Sequence, residues 1–323
     1  MTSYPIQIRP ASELDHDAHP DILPDRWAPT GNRRSFVAEI GDRVVGHCRG
    51  IDNAIHPHSR TLVLDVSSGG SQTDWDRVAD ALLTAHIQVS ELPLTLKVDE
   101  DDEGRIRLAA RFNAALIQLM PPWLYTVGPA LRAWAGGIGG GDGRVRPARP
   151  EDIPVIAEVY AAHYVAQHAS WSPAIAEPEL AAEIADELGS TEGVLDRSVV
   201  LERAGSIEAQ ALVWPDEEAE IVLQTLGFET AAGRRDMERC LAAVIDASPD
   251  RQVYTIDAHA TNEMEMAMIA GVPGGNGPWT AITSIPVGHG KPVCTRFRSI
   301  PPEASSFVAR LGGGSASQDT GRE

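Results

Sequence analysis

The chain has 323 residues, of which 43% are hydrophobic and 23% are charged, a composition typical of a globular protein. This length exceeds what a single hydrophobic core normally uses and predicts two domains of about 150 residues each. The formal net charge of −19 would repel phosphate polymers and anionic membranes. We therefore expect no nucleic acid and no membrane as partners, and a neutral or cationic small molecule as ligand.

No apolar run approaches the roughly 20 residues of a membrane span. The first residues, MTSYPIQIRPASELD, lack the basic and apolar segments of a secretory signal. The three cysteines, Cys48, Cys240 and Cys294, stand far apart and have no metal-ligand spacing. Together these features predict a cytoplasmic protein with reduced thiols and no bound metal.

Two segments of the chain begin in the same way. IQIRPASELD at 6–15 and GRVRPARPED at 143–152 share a short strand that ends in Arg-Pro-Ala, followed by an acidic turn. The second start comes directly after GGIGGGDG, whose glycine density predicts a flexible linker. The predicted organisation is an N-terminal domain at 1–135, a linker at 136–143, a C-terminal domain at 144–311 and a disordered tail at 312–323.

The same elements follow each start, in chain order. Each half contains a predicted hairpin, a single strand, an amphipathic helix and a further strand, then a helix and a closing strand. The paired segments are 34–51 and 197–214, 60–66 and 219–226, 73–87 and 234–247, and 92–99 and 251–258. A shared order of nine elements predicts an internal duplication, although few residues are identical between the halves.

This order, with its Arg-Pro-Ala start, resembles the GNAT superfamily of acyl-CoA-dependent N-acetyltransferases. The two copies look like a tandem GNAT protein over nearly all of residues 5–287. TLGFETAAGRRDM at 225–237 lies where the family has its fourth strand and phosphate loop, and YTIDAHATNEMEMAMIAG at 254–271 resembles the fifth strand and the helix after it. The resemblance implies an α/β fold of two domains, each a mixed, mostly antiparallel sheet flanked by helices.

The resemblance also implies acetyl-CoA or another acyl-CoA as co-substrate. In the family the pantetheine arm lies in the gap between the fourth and fifth strands, and the pyrophosphate lies on backbone N–H groups at the next helix N-terminus. The implied cofactor-binding residues are Leu226, Gly233, Arg234, Arg235 and Asn262 in the second half, and Gly69 and Gly70 in the first.

The phosphate loops depart from the family pattern in both halves. Only Gly233 remains of the glycines expected in the second half, where Arg234 and Arg235 either restore charge near the phosphates or are solvated in the first helical turn. In the first half Asp74 and Asp76 place negative charge at the helix start. That charge favours a self-capped helix over a phosphate site.

Candidate catalytic and acceptor residues are few. Glu220, on the fourth strand of the second half, lies where a family general base can lie, and Tyr254, on the fifth strand, is the candidate acid. Tyr164, His168 and Trp171, on and after the helix that opens the second half, are predicted to line an acceptor pocket. For each of them, packing or a half-exposed position on a strand is the alternative.

The sequence therefore predicts an acyl-CoA-dependent N-acyltransferase acting on a small amine, with at least one degenerate domain. The alternative is a non-acetylating pseudo-acetyltransferase that binds a ligand or partner, or a GNAT fold with different chemistry. Lysine occurs only at positions 97 and 291, and this arginine bias points to a GC-rich bacterial genome. The acidic charge balance suits a basic amine substrate, as in specialised metabolism. We expect a monomer or a homodimer.

Overall fold

The computed structural model describes residues 5–12, 15, 18, 34–67, 71–215, 219–288, 295, 297 and 300–312. The chain forms two compact units. Unit 1 comprises Met1–Ile117, Thr280–Arg296 and Ile300–Glu323, and unit 2 comprises Gln118–Trp279 and Phe297–Ser299. Each unit contains one mixed, mostly antiparallel sheet flanked by helices, so the predicted fold class is confirmed. Beyond Gly312, the predicted tail lies outside the described residues.

Unit 1 is built on a seven-stranded sheet in the order β1-β2-β3-β4-β5-β13-β6. Its strands β4 and β5 run parallel, whereas β1 to β4 pair antiparallel in sequence and β13 pairs antiparallel with β5. The strands are β1 Ile6–Pro10, β2 Arg34–Ile40, β3 Arg43–Asp52, β4 Arg60–Val66, β5 Leu94–Asp99, β6 Ala115–Met120 and β13 Thr280–Ile285. The helices are α1 Gln72–Val89, α2 Glu103–Arg111 and α9 Ser305–Arg310.

Unit 2 is built on a six-stranded sheet in the order β7-β12-β11-β10-β9-β8. Strands β11 and β12 run parallel and the other neighbours run antiparallel. The strands are β7 Leu124–Thr126, β8 Arg144–Pro147, β9 Val199–Arg203, β10 Ser206–Trp214, β11 Ala219–Thr225 and β12 Val253–Ile256. The helices are α3 Pro129–Gly137, α4 Ile153–His168, α5 Glu177–Ser190, α6 Val194–Arg197, α7 Ala231–Ala247 and α8 Glu263–Ile269.

The units differ from the predicted domain boundaries because the closing strands change sheets. β7, which precedes residue 135, pairs with β12 in the sheet of unit 2. β13, which follows unit 2 in the chain, pairs with β5 in the sheet of unit 1. The predicted N-terminal domain at 1–135 therefore extends about one strand and one helix too far, and the predicted C-terminal domain at 144–311 includes a strand of unit 1.

The glycine-rich stretch at 136–143 connects α3 to β8 within unit 2. Gly136 and Gly137 are the last residues of α3. Farther along, Arg239 of α7 holds the stretch through two hydrogen bonds, from Nη1 to the Asp142 carbonyl at 2.7 Å and from Nη2 to the Gly143 carbonyl at 2.8 Å. The stretch is thus held by hydrogen bonds within unit 2, and it lies away from the boundary between the units at residue 117.

The core of unit 2 lies between its sheet and α7. One face of β11 contributes Ala219, Ile221 and Leu223, and α7 contributes a stripe that includes Leu241 and Ile245. Burial of this apolar face, at about 25 cal/mol per Å², supplies the main driving force for placing α7 there. The opposite face of the sheet is covered by α4, which packs against β10 and β11.

A partly buried ion-pair triad explains the residue pattern of the second start. Arg146 of β8 donates from Nη1 and Nη2 to the two carboxylate oxygens of Asp152 at 2.7 and 2.9 Å, and from Nε to Glu202 of β9 at 2.8 Å. The Arg149 backbone N–H also donates to Asp152 at 2.9 Å. The Arg146 hydrogen bonds lower the pKa of Asp152 despite its burial.

The first start carries the same triad at equivalent positions. Arg9 donates from Nη1 and Nη2 to Asp15 at 2.7 and 2.5 Å, and from Nε to Glu39 at 2.9 Å. The backbone N–H of Ser12 donates to Asp15 as the Arg149 N–H does in the second copy. The repeated Arg-Pro-Ala sequences thus build one constellation twice, which supports the duplication inferred from the element order.

Within the described part of the chain, no helix is both long and apolar enough to cross a membrane.

We expect Arg146→Ala to lower the free energy of unfolding of unit 2 by about 3 kcal/mol, because it leaves an almost buried carboxylate without its partner. Arg149→Ala is the matched control, since Arg149 and Glu151 are mostly exposed and such pairs contribute about 0–1 kcal/mol. Urea unfolding followed by tryptophan fluorescence measures both. Because the pKa of Asp152 is lowered by folding, the stabilisation is present above its unfolded pKa and is lost as pH falls through the folded value. Equal losses in the two variants would contradict the prediction.

Candidate functional site

A cleft of about 410 Å³ lies on the α4 side of the sheet in unit 2, and we call it the acidic cleft. It is formed by α4, α5, β10, β11 and the residue that follows β12. Its lining residues are Tyr160, His163, Tyr164, Gln167, Glu187, Trp214, Glu220, Val222, Leu223, Gln224 and Asp257.

Helical spacing explains which α4 side chains line this cleft. Tyr160, His163, Tyr164 and Gln167 are related by three or four residues and therefore share one face of the helix. The two tyrosine rings stack, with centroids 5.6 Å apart. This face gives the cleft an aromatic wall with two hydroxyl groups.

Strand alternation explains the opposite wall. Glu220, Val222 and Gln224 are two residues apart along β11, so their side chains point to the same face of the sheet. Trp214 of β10 is the cross-strand partner of Glu220 in the register and lies on the same face. The strand therefore presents a carboxyl group between an indole and an aliphatic side chain.

The charge in the cleft is of one sign. Glu187, Glu220 and Asp257 each contribute a carboxyl group, and the lining residues of the acidic cleft include no lysine or arginine. Burial raises the pKa of Tyr160, and the negative charges of Glu220, Asp257 and Glu187 act in the same direction. Burial followed by the charge of Asp257 likewise raises the pKa of Tyr164. Both tyrosines consequently stay protonated, and the cleft favours a cationic guest.

Beside this cleft the two parallel strands of unit 2 separate. β11 and β12 are paired at Ala219, Glu220 and Ile221 only, whereas the pairing of β11 with β10 continues to Thr225. The last residues of β11 thus turn one edge towards a strand gap, which we define as the space between Thr225 and the residues that follow Ala258. Val222, Leu223, Gln224 and Asp257 border the acidic cleft instead. The backbone groups on this edge need partners other than a strand.

One of these groups, the Thr225 N–H, is paired by a histidine. The Thr225 N–H donates to Nδ1 of His163 at 3.2 Å, and the Thr225 carbonyl lies 3.3 Å from the same nitrogen. An Nδ1 that accepts a hydrogen bond leaves the ring proton on Nε2. Nε2 in turn lies 3.2 Å from Oε1 of Glu265 in α8. The ring of Phe228 meets the His163 ring edge-on, with centroids 5.1 Å apart.

Glu265 is buried and fully provided with hydrogen-bond donors. Besides His163, Oε1 accepts from Gln167 Nε2 at 2.7 Å and from Asn262 Nδ2 at 2.7 Å. Oε2 accepts from the backbone N–H of His259 at 3.0 Å. Burial acts to raise the pKa of this carboxyl group, but the hydrogen bonds from His163 and from the His259 backbone N–H outweigh it, so the pKa is lowered. We call the chain from Thr225 through His163 and Glu265 to His259 the His163–Glu265 bridge.

The start of α7 is already capped by the protein itself. Thr230 Oγ1 accepts from the Gly233 N–H at 3.0 Å and donates to the Gly227 carbonyl at 2.7 Å. A Cβ atom at Gly233 would lie 2.2 Å from the Gly227 oxygen, so the glycine is required for close loop packing. The predicted phosphate-binding role of Gly233 is corrected accordingly, because its N–H has an internal partner.

The strand gap and the capped helix bear on the acyl-CoA prediction for unit 2. A pantetheine arm lying along β11 would need the Thr225 N–H that His163 takes, and a pyrophosphate would need N–H groups of which one is satisfied by Thr230. The residues present in unit 2 do not fit an acyl-CoA in that position.

Unit 1 shows the corresponding separation of its parallel strands. β4 and β5 pair only at Arg60 and Thr61 of β4, and Arg105 of α2 donates to the Leu64 carbonyl at 3.2 Å. Asp65 is half-buried, and burial raises its pKa against the opposing charges of Arg105 and Arg49. The predicted residues Gly69 and Gly70 lie outside the described residues.

Two of the predicted catalytic and acceptor residues line the acidic cleft. Glu220 and Tyr164 do so. His168 and Trp171 are buried behind it, where the His168 ring stacks on Tyr164 with centroids 3.8 Å apart. Tyr254 does not reach the cleft, because its hydroxyl lies in the core on the α7 side, 2.6 Å from Ser248 Oγ. The structure therefore corrects the catalytic assignment of Tyr254 and the lining roles of His168 and Trp171.

The remaining cofactor residues have local structural roles. Asn262 caps α8, since its Oδ1 accepts from the N–H groups of Met264 and Glu265. Arg234 pairs with Glu238 one turn later at 3.1 Å. Arg235 is exposed and lines a second cleft of about 650 Å³ on the flank of α7. Leu226 is 55% exposed and carries no polar side-chain group.

Sequence reasoning missed Tyr160, Glu187, Trp214 and Asp257. The spacing of Tyr160 with Tyr164 on one helical face was a usable signal. The other three come from different elements, and only the folded sheet brings them together. Across the described residues, no group of three or more His, Cys, Asp or Glu side chains is arranged to hold a metal ion.

Solved structures share this fold. A GCN5-related N-acetyltransferase from Sphaerobacter thermophilus superposes with a TM-score of 0.54 at 9% identity, covering 88% of this chain and 98% of that one. A tandem GNAT protein from the clavulanic acid biosynthesis pathway, solved without AcCoA, gives a TM-score of 0.54 at 14% identity and covers 89% of this chain and 100% of its own. No protein-family model and no curated protein matches the chain. The chain thus has the tandem GNAT fold that the sequence predicts, which is a fold of N-acetyltransferases.

We expect Gly233→Ala to destabilise unit 2 by about 1–3 kcal/mol, because the new methyl group forces Gly227 and the loop apart. Gly189→Ala in α5 is the control, since nothing lies within 4 Å of its Cβ position and the substitution is expected to be neutral or stabilising by about 0.4–1 kcal/mol. Thermal denaturation followed by circular dichroism gives both values. An unchanged melting temperature for Gly233→Ala would show that the loop does not require the glycine.

Proposed function

We propose that unit 2 binds a small organic amine, as its cation, in the acidic cleft. The observation that carries this proposal is the set of three carboxyl groups beside two stacked tyrosines, with no lysine or arginine among the lining residues. An aliphatic amine has a pKa near that of lysine, about 10.4, and is therefore protonated at neutral pH. Its ammonium group gains a charge-assisted hydrogen bond from a carboxylate and a cation–π contact from a tyrosine ring.

The volume and the lining residues of the acidic cleft limit the class of ligand that it can bind. A volume of about 410 Å³ suits a small molecule, and Val222 and Trp214 offer apolar surface for a short alkyl chain. Glu187 is exposed at the rim, whereas Glu220 and Asp257 are half-buried. We infer a short alkyl amine or diamine, whose charge is held by Glu220 and Asp257 inside the cleft.

The second candidate is acyl-CoA-dependent N-acylation of the same amine. It is favoured by the fold, which other N-acetyltransferases share, and by Glu220, which lies where the ammonium proton would have to be accepted. A wall of carboxylates also stabilises the protonated amine and raises its pKa, which disfavours the nucleophilic free base. Together with the occupied strand gap, this chemistry favours binding over acyl transfer in unit 2.

We further propose a cytoplasmic location, a monomeric or homodimeric state, no nucleic acid or membrane partner, and a role in bacterial specialised metabolism.

Calorimetric titration of the full chain with butylamine and with putrescine tests the first candidate. We expect both to bind and 1-butanol, their uncharged analogue, not to bind. Glu220→Gln should weaken binding about tenfold, equal to about 1.4 kcal/mol, because a half-buried charge–charge contact is lost. Glu183→Gln is the matched control, since Glu183 is an exposed carboxyl group on α5, one turn before Glu187, and does not line the cleft. Failure of either amine to bind at millimolar concentration, or binding indifferent to Glu220→Gln, would overturn the proposal.

Release of free thiol from acetyl-CoA separates the two candidates. With an amine that binds, we expect no thiol release above the rate without protein, because the amine is held as a cation. Amine-dependent release that Glu220→Gln abolishes and Glu183→Gln preserves would instead establish the second candidate.

A further inference from the structure

We propose that the His163–Glu265 bridge is a built-in occupant of the strand gap and closes unit 2 to thioester donors of the acyl-CoA type. The inference concerns the donor side of the unit and does not depend on which molecule the acidic cleft binds. It is carried by three observations on the same few residues.

The first observation is that the end of the exposed strand edge is occupied. Beyond Ile221 the ladder between β11 and β12 ends, and the Thr225 N–H would be orphaned. His163 Nδ1 accepts from this N–H at 3.2 Å, and the same nitrogen lies 3.3 Å from the Thr225 carbonyl. An extended ligand with amide groups would need this edge for hydrogen bonding, in the way that an added strand uses a sheet edge.

The second observation is continuity across the gap. The bridge runs from the end of β11, through a helix on one face of the sheet, to α8 and the residue that follows Ala258. His163 and Glu265 are 3% and 2% exposed, so both side chains are buried, and the acidic cleft is bounded by His163 and Gln167. Phe228 packs on the imidazole and fills the adjoining volume. The bridge thus replaces the missing ladder with side chains.

The third observation is that displacing the bridge from the strand gap costs free energy. Glu265 accepts hydrogen bonds from His163, Gln167, Asn262 and the His259 backbone, so every carboxylate oxygen is satisfied. Asn262 is itself fixed because it caps α8. Displacing His163 would strip a buried carboxylate of one donor and leave the Thr225 N–H unpaired, which is unfavourable.

The same contacts limit which other molecules can enter the strand gap. A thioester could enter only by rotating His163 out, and its helix position keeps the ring against Phe228 and Thr225. We therefore expect acyl-CoA affinity in unit 2 to be set by the cost of opening the bridge rather than by the phosphate loop alone.

Hydrogen–deuterium exchange of the full chain, with and without millimolar CoA, reads unit 2 separately from unit 1. In the wild type we expect no CoA-dependent protection in peptides covering 219–234 and 253–266. The double variant His163→Ser with Glu265→Gln removes the ring and the charge but retains polar side chains. In that variant we expect protection of these peptides and at least a tenfold gain in CoA affinity for the unit.

His168→Ser is the matched control, because it removes a buried imidazole of the same helix that lies outside the bridge. It should show no CoA-dependent protection. Slow exchange of the α7 core at 237–245 verifies that each variant is folded. If the double variant fails this check, Glu265→Gln alone takes its place, with a smaller expected gain.

Protection of the 219–234 peptide by CoA in the wild type would overturn the proposal. A folded variant that gains no protection would also overturn it, because the gap would then be closed by something other than the bridge.

Discussion

Two parallel strands of unit 2, β11 and β12, are hydrogen-bonded over only three residue pairs, and much of the unit follows from that early separation. A strand that leaves its neighbour exposes backbone donors and acceptors, and a buried edge of this kind needs partners. A ligand can provide them, as can the protein. In this chain Nδ1 of His163 accepts from the Thr225 N–H, and the second ring nitrogen then requires a buried acceptor. Glu265 meets that requirement only because Gln167, Asn262 and the His259 backbone stabilise its charge.

The same helix that supplies His163 also supplies the aromatic wall of the acidic cleft. Tyr160 and Tyr164 flank His163 on one face of α4, so the same helical face borders both the strand gap and the acidic cleft. The cleft carries carboxyl groups, whereas the neighbouring gap holds the buried His163–Glu265 pair. Under the proposed function a cation occupies the cleft, next to a gap that the protein's own side chains cross. This pairing is the physical reason to separate amine recognition from acyl transfer in this fold.

The order of elements was predictable because strand and helix periods are local properties of the sequence. The Arg-Pro-Ala starts were predictable for a further reason, since each encodes the same three-residue ion-pair constellation. The exchange of closing strands was not predictable, because the sequence TAITSI of Thr280–Ile285 does not specify which sheet the strand joins. Glu220 and Tyr164 could be assigned to the site from their positions in the predicted elements. Tyr254 could not, because a two-residue period defines two faces of a strand and leaves open which one meets the core. Gly233 was misread because a glycine that permits loop packing and one that admits a phosphate look the same in a sequence.

The exchange of closing strands has a consequence for the history of the chain. The sheet of unit 1 contains β13, which follows unit 2 in the chain, and the sheet of unit 2 contains β7, which precedes the second start. Neither half of the repeated sequence thus encodes a whole sheet. Deleting one half, or replacing it by recombination, would remove a strand from the other. If one half lost its original chemistry, selection on folding alone would retain it, because the other half depends on its strand.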